Sequence, residues 1–184
     1  MRSVSLSWFV VHGKINRERS IGNVLAASGF EVFMPVCRVR RQWSDRAKEC
    51  TVPLFPSYIF ARFDICERLA VLKAPGVISI VGRGKYPVPL TDDEVRNIRI
   101  MVDSGFSTYP WPYIKTGQTI TISGGPLRGL QATVLDEDAS RRKLIVSVDL
   151  LNRSIAVDIA PEWTSPFGPA SSGFQLARGA KPAA

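Results

Sequence analysis

Few residues in this chain have side chains that could carry catalytic or metal chemistry. His12 is the only histidine, and the three cysteines, Cys37, Cys50 and Cys66, are widely and irregularly spaced. Zinc sites need closely spaced histidines or cysteines, and a disulfide framework normally has an even number of cysteines. We therefore expect no metal and no cofactor, and we expect the thiols to be reduced, as in a cytosolic protein.

Motifs that bind phosphates or perform acid–base catalysis are also missing from the sequence. Neither Gly-x-x-x-x-Gly-Lys-Ser/Thr nor Gly-x-Gly-x-x-Gly occurs, and Gly82-Arg83-Gly84-Lys85 is only a basic turn. The acids of Thr91-Asp92-Asp93-Glu94 fit a helix cap, because neighbouring first-turn acids do not face each other across a cleft. The sequence therefore predicts a binding protein and not an enzyme.

Positive charge is the strongest functional signal in the composition. Lys and Arg outnumber Asp and Glu by 24 to 16, which gives a net charge of +8. An excess of this sign favours an anionic partner, above all nucleic acid. Residues 1–106 carry +6 of it and residues 107–184 carry +2. This excess includes Lys14, Arg17 and Arg19, which could equally be a solvated helix face, and Arg40 and Arg41 of the segment 38–48; these five are the candidate nucleic-acid contacts.

Length and hydropathy indicate the general class of the protein. The chain has 184 residues, 45% of them hydrophobic and 22% charged, which suits one medium domain or two small ones. It contains no apolar run of about 20 residues, the length that spans a bilayer. Its first residues lack the apolar stretch of a signal peptide, so we expect a cytoplasmic protein without a membrane partner.

Hydrophobic periodicity predicts alternating strands and helices in the first part of the chain. Expected strands cover residues 8–12, 31–39, 54–64 and 77–81. Expected helices follow an Asn16 N-cap, an Asp64 cap and the capping box Thr91–Glu94, and Gly29 should end the first of them. In the third strand, Tyr58 and Phe60 share one face, whereas Ile59, Ala61 and Phe63 share the other. This order predicts an α+β fold of the split-βαβ type.

The pattern changes after Gly105. Residues 109–113, Tyr-Pro-Trp-Pro-Tyr, indicate a semi-stiff linker. Short β-branched runs at 119–122, 132–134, 144–148 and 155–157 predict a small all-β barrel and disfavour a helical hairpin. The predicted boundaries are a domain at 1–106, a linker at 107–112, a barrel at 113–162 and a disordered tail at 163–184.

Several motifs, in order, resemble one known family. The N-terminal ones are Trp8-Phe9-Val10-Val11, Gly29-Phe30-Glu31-Val32-Phe33-Met34-Pro35, Pro53-Leu54-Phe55-Pro56-Ser57-Tyr58-Ile59-Phe60 and Pro75-Gly76-Val77. They are similar to the N-terminal (NGN) domain of NusG-type transcription elongation and antitermination factors. Residues 117–129 are similar to the KOW motif that follows, which forms an SH3-like barrel in that family. The Leu-Phe-Pro-x-Tyr-x-Phe run most resembles the specialised RfaH-like members.

The resemblance implies a division of labour between two domains. The first would dock on the clamp helices of RNA polymerase, contact DNA of the transcription bubble and suppress pausing or termination. The barrel would recruit a second partner, ribosomal protein S-ten or Rho, and the protein would act as a monomer. By motif, the implied polymerase-docking residues are Phe55, Tyr58, Phe60, Ile98 and Met101, the gate-loop region holds Glu67 and Arg68, and the KOW loop holds Gly125, Pro126, Leu127 and Gly129.

Each assignment has a structural alternative. Aromatic residues on a strand are ordinarily core, although two opposed aromatic faces cannot both fill one small core, which favours a partly exposed patch. The segment 38–48 is more often a solvated loop than a reader of sequence. The alternative function is a KOW-containing ribosomal or RNA-binding protein acting in translation, for which the first domain has no role.

Overall fold

In the computed structural model, the described residues form two larger antiparallel sheets, two short two-stranded sheets and three α-helices. The structure describes residues 5–42, 47–84, 86–114, 118–122, 124–138 and 141–159. The first eight strands are β1 (Leu6–Gly13), β2 (Glu31–Phe33), β3 (Val36–Gln42), β4 (Ala47–Pro53), β5 (Tyr58–Asp64), β6 (Val77–Ile80), β7 (Gly82–Arg83) and β8 (Tyr86–Pro87). The helices are α1 (Glu18–Ala27), α2 (Arg68–Leu72) and α3 (Asp92–Asp103).

The N-terminal sheet has the strand order β2-β5-β1-β6 and carries helices on both faces. On one face, β1 and β5 pack against α1 and α2 in an apolar cluster that includes Phe63, Ile21 and Val71. On the other face, Phe60 lies in a cluster with Ile98 of α3. The predicted split of β5 into two apolar faces is therefore confirmed, as is the α+β class.

The capping box of α3 forms as predicted. The Glu94 N–H donates to Thr91 Oγ1 at 3.2 Å, and the Thr91 N–H donates to the Glu94 carboxylate at 2.8 Å. The predicted Asn16 cap of α1 is wrong: Asn16 has φ of +61° and lies outside the helix, whose N-cap is Arg17. Gly29 does end α1, with φ of +91°, a conformation that glycine adopts at little cost.

The predicted strand over residues 31–39 is broken in two. β2 pairs with β5, whereas β3 pairs with β4 in a separate hairpin. The chain leaves the sheet at Met34 and Pro35 because proline has no N–H for a sheet ladder. The Leu54 N–H donates to the Pro35 carbonyl at 2.9 Å and closes the base of the hairpin. The described part of the basic segment 38–48 therefore lies in the two paired strands of a hairpin.

The C-terminal sheet has five strands in the order β10-β11-β12-β13-β9. They are β9 (Thr108–Trp111), β10 (Gln118–Thr121), β11 (Gln131–Asp138), β12 (Arg141–Val148) and β13 (Arg153–Ile159). The predicted barrel is thus confirmed, and the described part of this region holds no helical hairpin. The tail predicted at 163–184 lies outside the described residues.

The predicted linker at 107–112 is wrong for residues 108–111, because these form β9 and pair with β13. β9 is an edge strand, where Pro110 is tolerated although it cannot donate to a ladder. The Tyr109 hydroxyl donates to Asp158 at 2.7 Å, and the Lys143 ammonium lies 4.0 Å from the Trp111 ring centroid. The aromatic residues of the supposed linker therefore anchor it to the barrel.

Candidate functional site

The five predicted docking residues are brought together, but four of them are covered. Phe55, Phe60, Ile98 and Met101 are buried in the apolar cluster on the α3 side of the sheet, and only Tyr58 is half-buried. The Phe55 and Phe60 rings meet edge to face at 5.5 Å. The expected partly exposed aromatic patch is wrong for Phe55 and Phe60, because each face of the sheet has its own helical cover and both faces are core.

The barrel lies against the other side of α3. The short 3-10 helix Gly125–Leu127 and β12 both contact α3. Asn97, only 8% exposed, accepts a hydrogen bond from the Gln131 N–H through Oδ1 at 3.1 Å. The same apolar cluster continues from Ile98 into Leu127 and Leu130 of the barrel. Helix α3 is therefore enclosed between the N-terminal sheet and the barrel.

The predicted KOW loop forms much of this contact. Leu127 is fully buried, whereas Pro126 is exposed. Gly125 and Gly129 have φ of +68° and +84°, a region that glycine occupies freely. The Gly129 N–H donates to the Ile122 carbonyl at 2.8 Å and closes the loop. These residues therefore shape a turn that presents one apolar side chain to the neighbouring domain.

A tight turn positions Tyr58 at the start of β5. Ser57 has φ of +70°, and the Tyr58 N–H donates to the Phe55 carbonyl at 3.1 Å. The Ser57 carbonyl accepts from the Gly13 N–H at 2.8 Å, and the His12 and Tyr58 rings lie 5.4 Å apart. His12 thus packs against an aromatic ring at a strand end.

The Glu18 carboxylate stabilises this turn, and its role was not predicted from the sequence. It accepts from the Ser57 N–H at 2.8 Å and the Asn16 N–H at 3.3 Å, and the residue is 7% exposed. The available signal was an acid set among four nearby basic or polar residues at a helix start. The sequence could not show that it is buried or that its partner is 39 positions away.

The first group of predicted nucleic-acid contacts is exposed. Lys14, Arg17 and Arg19 all reach solvent where the chain turns into α1. The Arg17 N–H donates to the Lys14 carbonyl at 3.1 Å, and the Lys14 N–H donates to the Gly76 carbonyl at 2.9 Å. The backbone is thus fixed while the charged ends stay in water, an arrangement suited to phosphate contacts.

The second group lies on the basic hairpin. The backbones of Arg40 and Arg41 are in β3, opposite Glu49 and Lys48 of β4. Their side chains are outside the described part of the structure.

The predicted gate-loop residues lie at an exposed helix junction. Glu67 ends a 3-10 helix, Ile65–Glu67, and Arg68 begins α2. Asp64 caps this turn, as predicted, by accepting from the Cys66 N–H at 2.8 Å. Both Glu67 and Arg68 are exposed, beside the exposed apolar side chain of Leu69.

Perturbed ionisation among the described residues occurs at one cysteine and two tyrosines. Burial raises the pKa of the Cys37 thiol. Burial, and then the hydrogen bond to Asp158, raise the pKa of Tyr109. The pKa of Tyr113 is raised by desolvation and by its hydrogen bond to Asp149. These shifts reflect structural contacts, and none of them marks an acid–base pair.

A cleft of about 550 Å³ opens between the two domains beside the start of α3. The N-terminal domain contributes Arg83, Leu90 and Glu94 to its lining, and the barrel contributes Tyr113 and Asp149, among others. The Tyr113 hydroxyl donates to Asp149 at 3.1 Å. The two domains therefore touch along α3 but leave a gap at its N-terminal end.

Within the described ranges, no three His, Cys, Asp or Glu side chains are grouped as a metal site would require. The helices of that same portion are all too short or too polar to cross a membrane.

Together, these features define a two-domain binding protein with a covered apolar face and an exposed basic turn. Residues 6–99, just over half of the chain, match the family model described as "Transcription termination factor nusG". The chain therefore belongs to the NusG family of transcription factors.

Curated relatives match over most of their length. A protein of Borreliella burgdorferi is 24% identical over 85% of this chain and 96% of its own length. One of Thermus thermophilus is 27% identical, with the same shares covered. Both are called "Transcription termination/antitermination protein NusG". A solved structure of Thermotoga maritima NusG is similar with a TM-score of 0.48 at 20% identity, over 86% of this chain and 96% of that one.

Proposed function

We propose that this protein is a transcription elongation and antitermination factor that binds RNA polymerase through its N-terminal domain. The observation that carries the proposal is that the family match, residues 6–99, contains four of the five predicted docking residues, and that Met101, two positions beyond it, joins them in one apolar cluster. Polymerase clamp helices are the partner implied for this surface. The protein would suppress pausing or termination, and it would do so in the cytoplasm.

Docking through these side chains requires that some of them become accessible. Phe60, Ile98 and Met101 belong to one apolar cluster that continues into Leu127 and Leu130 of the barrel, so the barrel helps to cover them. We infer that the barrel moves away from α3 when polymerase binds. The interdomain contact includes two described side chain–backbone hydrogen bonds, from the Gln131 N–H to Asn97 and from the Thr108 hydroxyl to the Met101 carbonyl, each worth about 1 kcal/mol. Interfaces of this kind generally allow domain motion.

The basic turn before α1 would contact DNA of the transcription bubble. The exposed Lys14, Arg17 and Arg19 suit salt-dependent phosphate binding. Arg40 and Arg41, on the basic hairpin, would extend this contact, and Glu67 and Arg68 would approach the polymerase gate loop.

The barrel would recruit the second partner, ribosomal protein S-ten or Rho. Its KOW loop packs on α3 in the closed arrangement, so Leu127 becomes available only after the domains separate. Recruitment and polymerase docking would therefore occur in the same open state.

We further propose an RfaH-like role, in which the protein acts on particular operons and not on transcription in general. The Leu-Phe-Pro-x-Tyr run supports this role. Deletion followed by transcript profiling tests this role. Changes in a few long operons are expected, whereas a genome-wide change would identify a general factor.

The docking proposal is tested by Tyr58→Ala. Tyr58 is the half-buried member of the docking set, so its truncation removes a contact surface with less damage to the core than Phe55→Ala or Phe60→Ala. We expect co-purification with core RNA polymerase to fall at least about tenfold, since aromatic anchors commonly contribute this much at interfaces.

Tyr86→Ala is the matched control, because Tyr86 is 79% exposed on β8. It should bind as the wild type does. Wild-type binding by Tyr58→Ala, with an unchanged thermal transition, would contradict the docking assignment.

A further inference from the structure

Two strained turns converge on one buried carboxylate. Among the described residues, the non-glycine positions with positive φ are Asn16, Ser57 and Asn152. Left-handed backbone is unfavourable for side chains other than glycine and persists where neighbours hold it. The N–H groups of Asn16 and Ser57 both donate to Glu18 Oε1, at 3.3 and 2.8 Å.

The geometry of Glu18 suits it to hold both turns at once. It is the first residue of α1 but is 7% exposed, and its side chain reaches the turn before β5. A buried carboxylate that accepts backbone N–H groups forms charge-assisted hydrogen bonds, which are stronger than neutral ones. Its removal would leave two strained amides without this acceptor.

The two turns belong to different proposed contacts. The Asn16 turn lies inside the exposed basic segment 14–19, and the Ser57 turn lies between Phe55 and Tyr58. A second link, from the Gly13 N–H to the Ser57 carbonyl at 2.8 Å, ties the same two stretches together. Glu18 is thus the one described side chain that bonds to both.

We propose that Glu18 is a positioning residue that fixes the basic segment and the docking turn relative to each other. This inference rests on the proposed function, because it assigns the two segments to DNA and to polymerase. Phosphate contact by Lys14 or Arg17 then occurs with Tyr58 already oriented for the polymerase. Without Glu18, the basic segment and the docking turn are no longer fixed relative to each other, although the side chains that make both contacts remain.

The alternative to a positioning role is that Glu18 only stabilises the start of α1. An acid in the first turn of a helix is stabilised by the helix dipole wherever it lies. Asp92, the exposed first residue of α3, is the matched control for that role. If the dipole were the whole explanation, Glu18→Ala and Asp92→Ala would have similar effects, and changes at Asn16 or Ser57 would restore nothing.

Glycine rescue separates the two roles. We expect Glu18→Ala in the full chain to weaken binding to a polymerase elongation complex by about tenfold and to flatten its salt dependence. Adding Ser57→Gly should recover most of the affinity at high salt, because glycine adopts φ of +70° without an anchoring carboxylate. Adding Asn16→Gly should recover the salt dependence. Glu18→Gln, which keeps an acceptor oxygen, should show a smaller loss and guards against a folding defect.

Hydrogen exchange of the Asn16 and Ser57 amides in the free protein supplies a readout independent of polymerase. Protection of both should fall in Glu18→Ala and persist in Asp92→Ala. Unchanged protection, or absence of rescue by either glycine, would overturn the positioning role. Failure of the wild-type chain to bind the elongation complex would instead overturn the proposed function, whatever the amides show.

Discussion

At the scale of single residues, polar side chains at strand edges form hydrogen bonds that the apolar pattern of the sequence does not predict. Tyr109 illustrates this, because its hydroxyl joins β9 to Asp158 of β13 beside the Lys143 ammonium. The aromatic body packs on the barrel while the polar end is paired, a typical arrangement for a tyrosine at an edge. The link makes strand β9 part of the barrel.

The raised pKa of Tyr109 gives a prediction about pH. A group whose pKa is higher in the folded state contributes stability below its unfolded pKa, and this is lost as pH rises through the folded value. The stability of the full chain should therefore fall as pH increases from about 10, the ordinary tyrosine value. Denaturant unfolding as a function of pH measures this.

Tyr109→Phe should make that alkaline decline shallower, and Tyr86→Phe, at an exposed site, is the control. An identical decline in Tyr109→Phe and the wild type would mean that other groups control alkaline unfolding.

At the scale of elements, the sequence was most informative where local chemistry decides the structure. The capping box of α3, the stop at Gly29 and the two faces of β5 follow from residues close in the chain, and all three were predicted. Asn16 was misplaced as a cap because the rule recognises residue type, and the Asn16 N–H instead donates to Glu18. Strand β9 was missed because its partner, β13, lies more than 40 residues away and proline suggests a linker.

The capping box permits a prediction for α3. Thr91→Ala removes the side-chain acceptor of the Glu94 N–H, so we expect a loss of about 1 kcal/mol in the free energy of unfolding. Ser20→Ala, an exposed hydroxyl inside α1, should cost less or stabilise because alanine favours a helix. Chemical denaturation of the two variants provides the comparison, and equal values would argue that the cap contributes little.

At the scale of the whole molecule, α3 connects the two domains. Ile98 lies in the apolar cluster that joins the N-terminal sheet to the barrel, and the Asn97 side chain accepts a hydrogen bond from the Gln131 N–H of the barrel. The sequence predicted two domains but not this enclosure, since periodicity identifies an apolar stripe without identifying what covers it. For the same reason, the sequence left open whether Phe55 and Phe60 are core or part of a partly exposed patch.

The enclosure predicts that weakening the domain contact strengthens polymerase binding. Asn97→Ala removes one interdomain hydrogen-bond acceptor, so the open population should rise several-fold and the apparent affinity should rise with it. Small-angle scattering should show a larger radius of gyration. Asn23→Ala, on α1, is the control. Weaker or unchanged polymerase binding by Asn97→Ala would argue that the barrel does not hinder docking when it covers α3.

The short connection between α3 and β9 limits how far the domains can part. Only four residues, 104–107, join Asp103 to Thr108, and the five Cα–Cα steps between these two residues span at most about 18 Å. An open barrel would thus remain tethered beside the helix it left, at a high local concentration that dilution does not change. A barrel supplied as a separate polypeptide would lack this advantage and compete poorly with polymerase. The tether would also deliver whatever the barrel binds to the immediate vicinity of the transcribing enzyme.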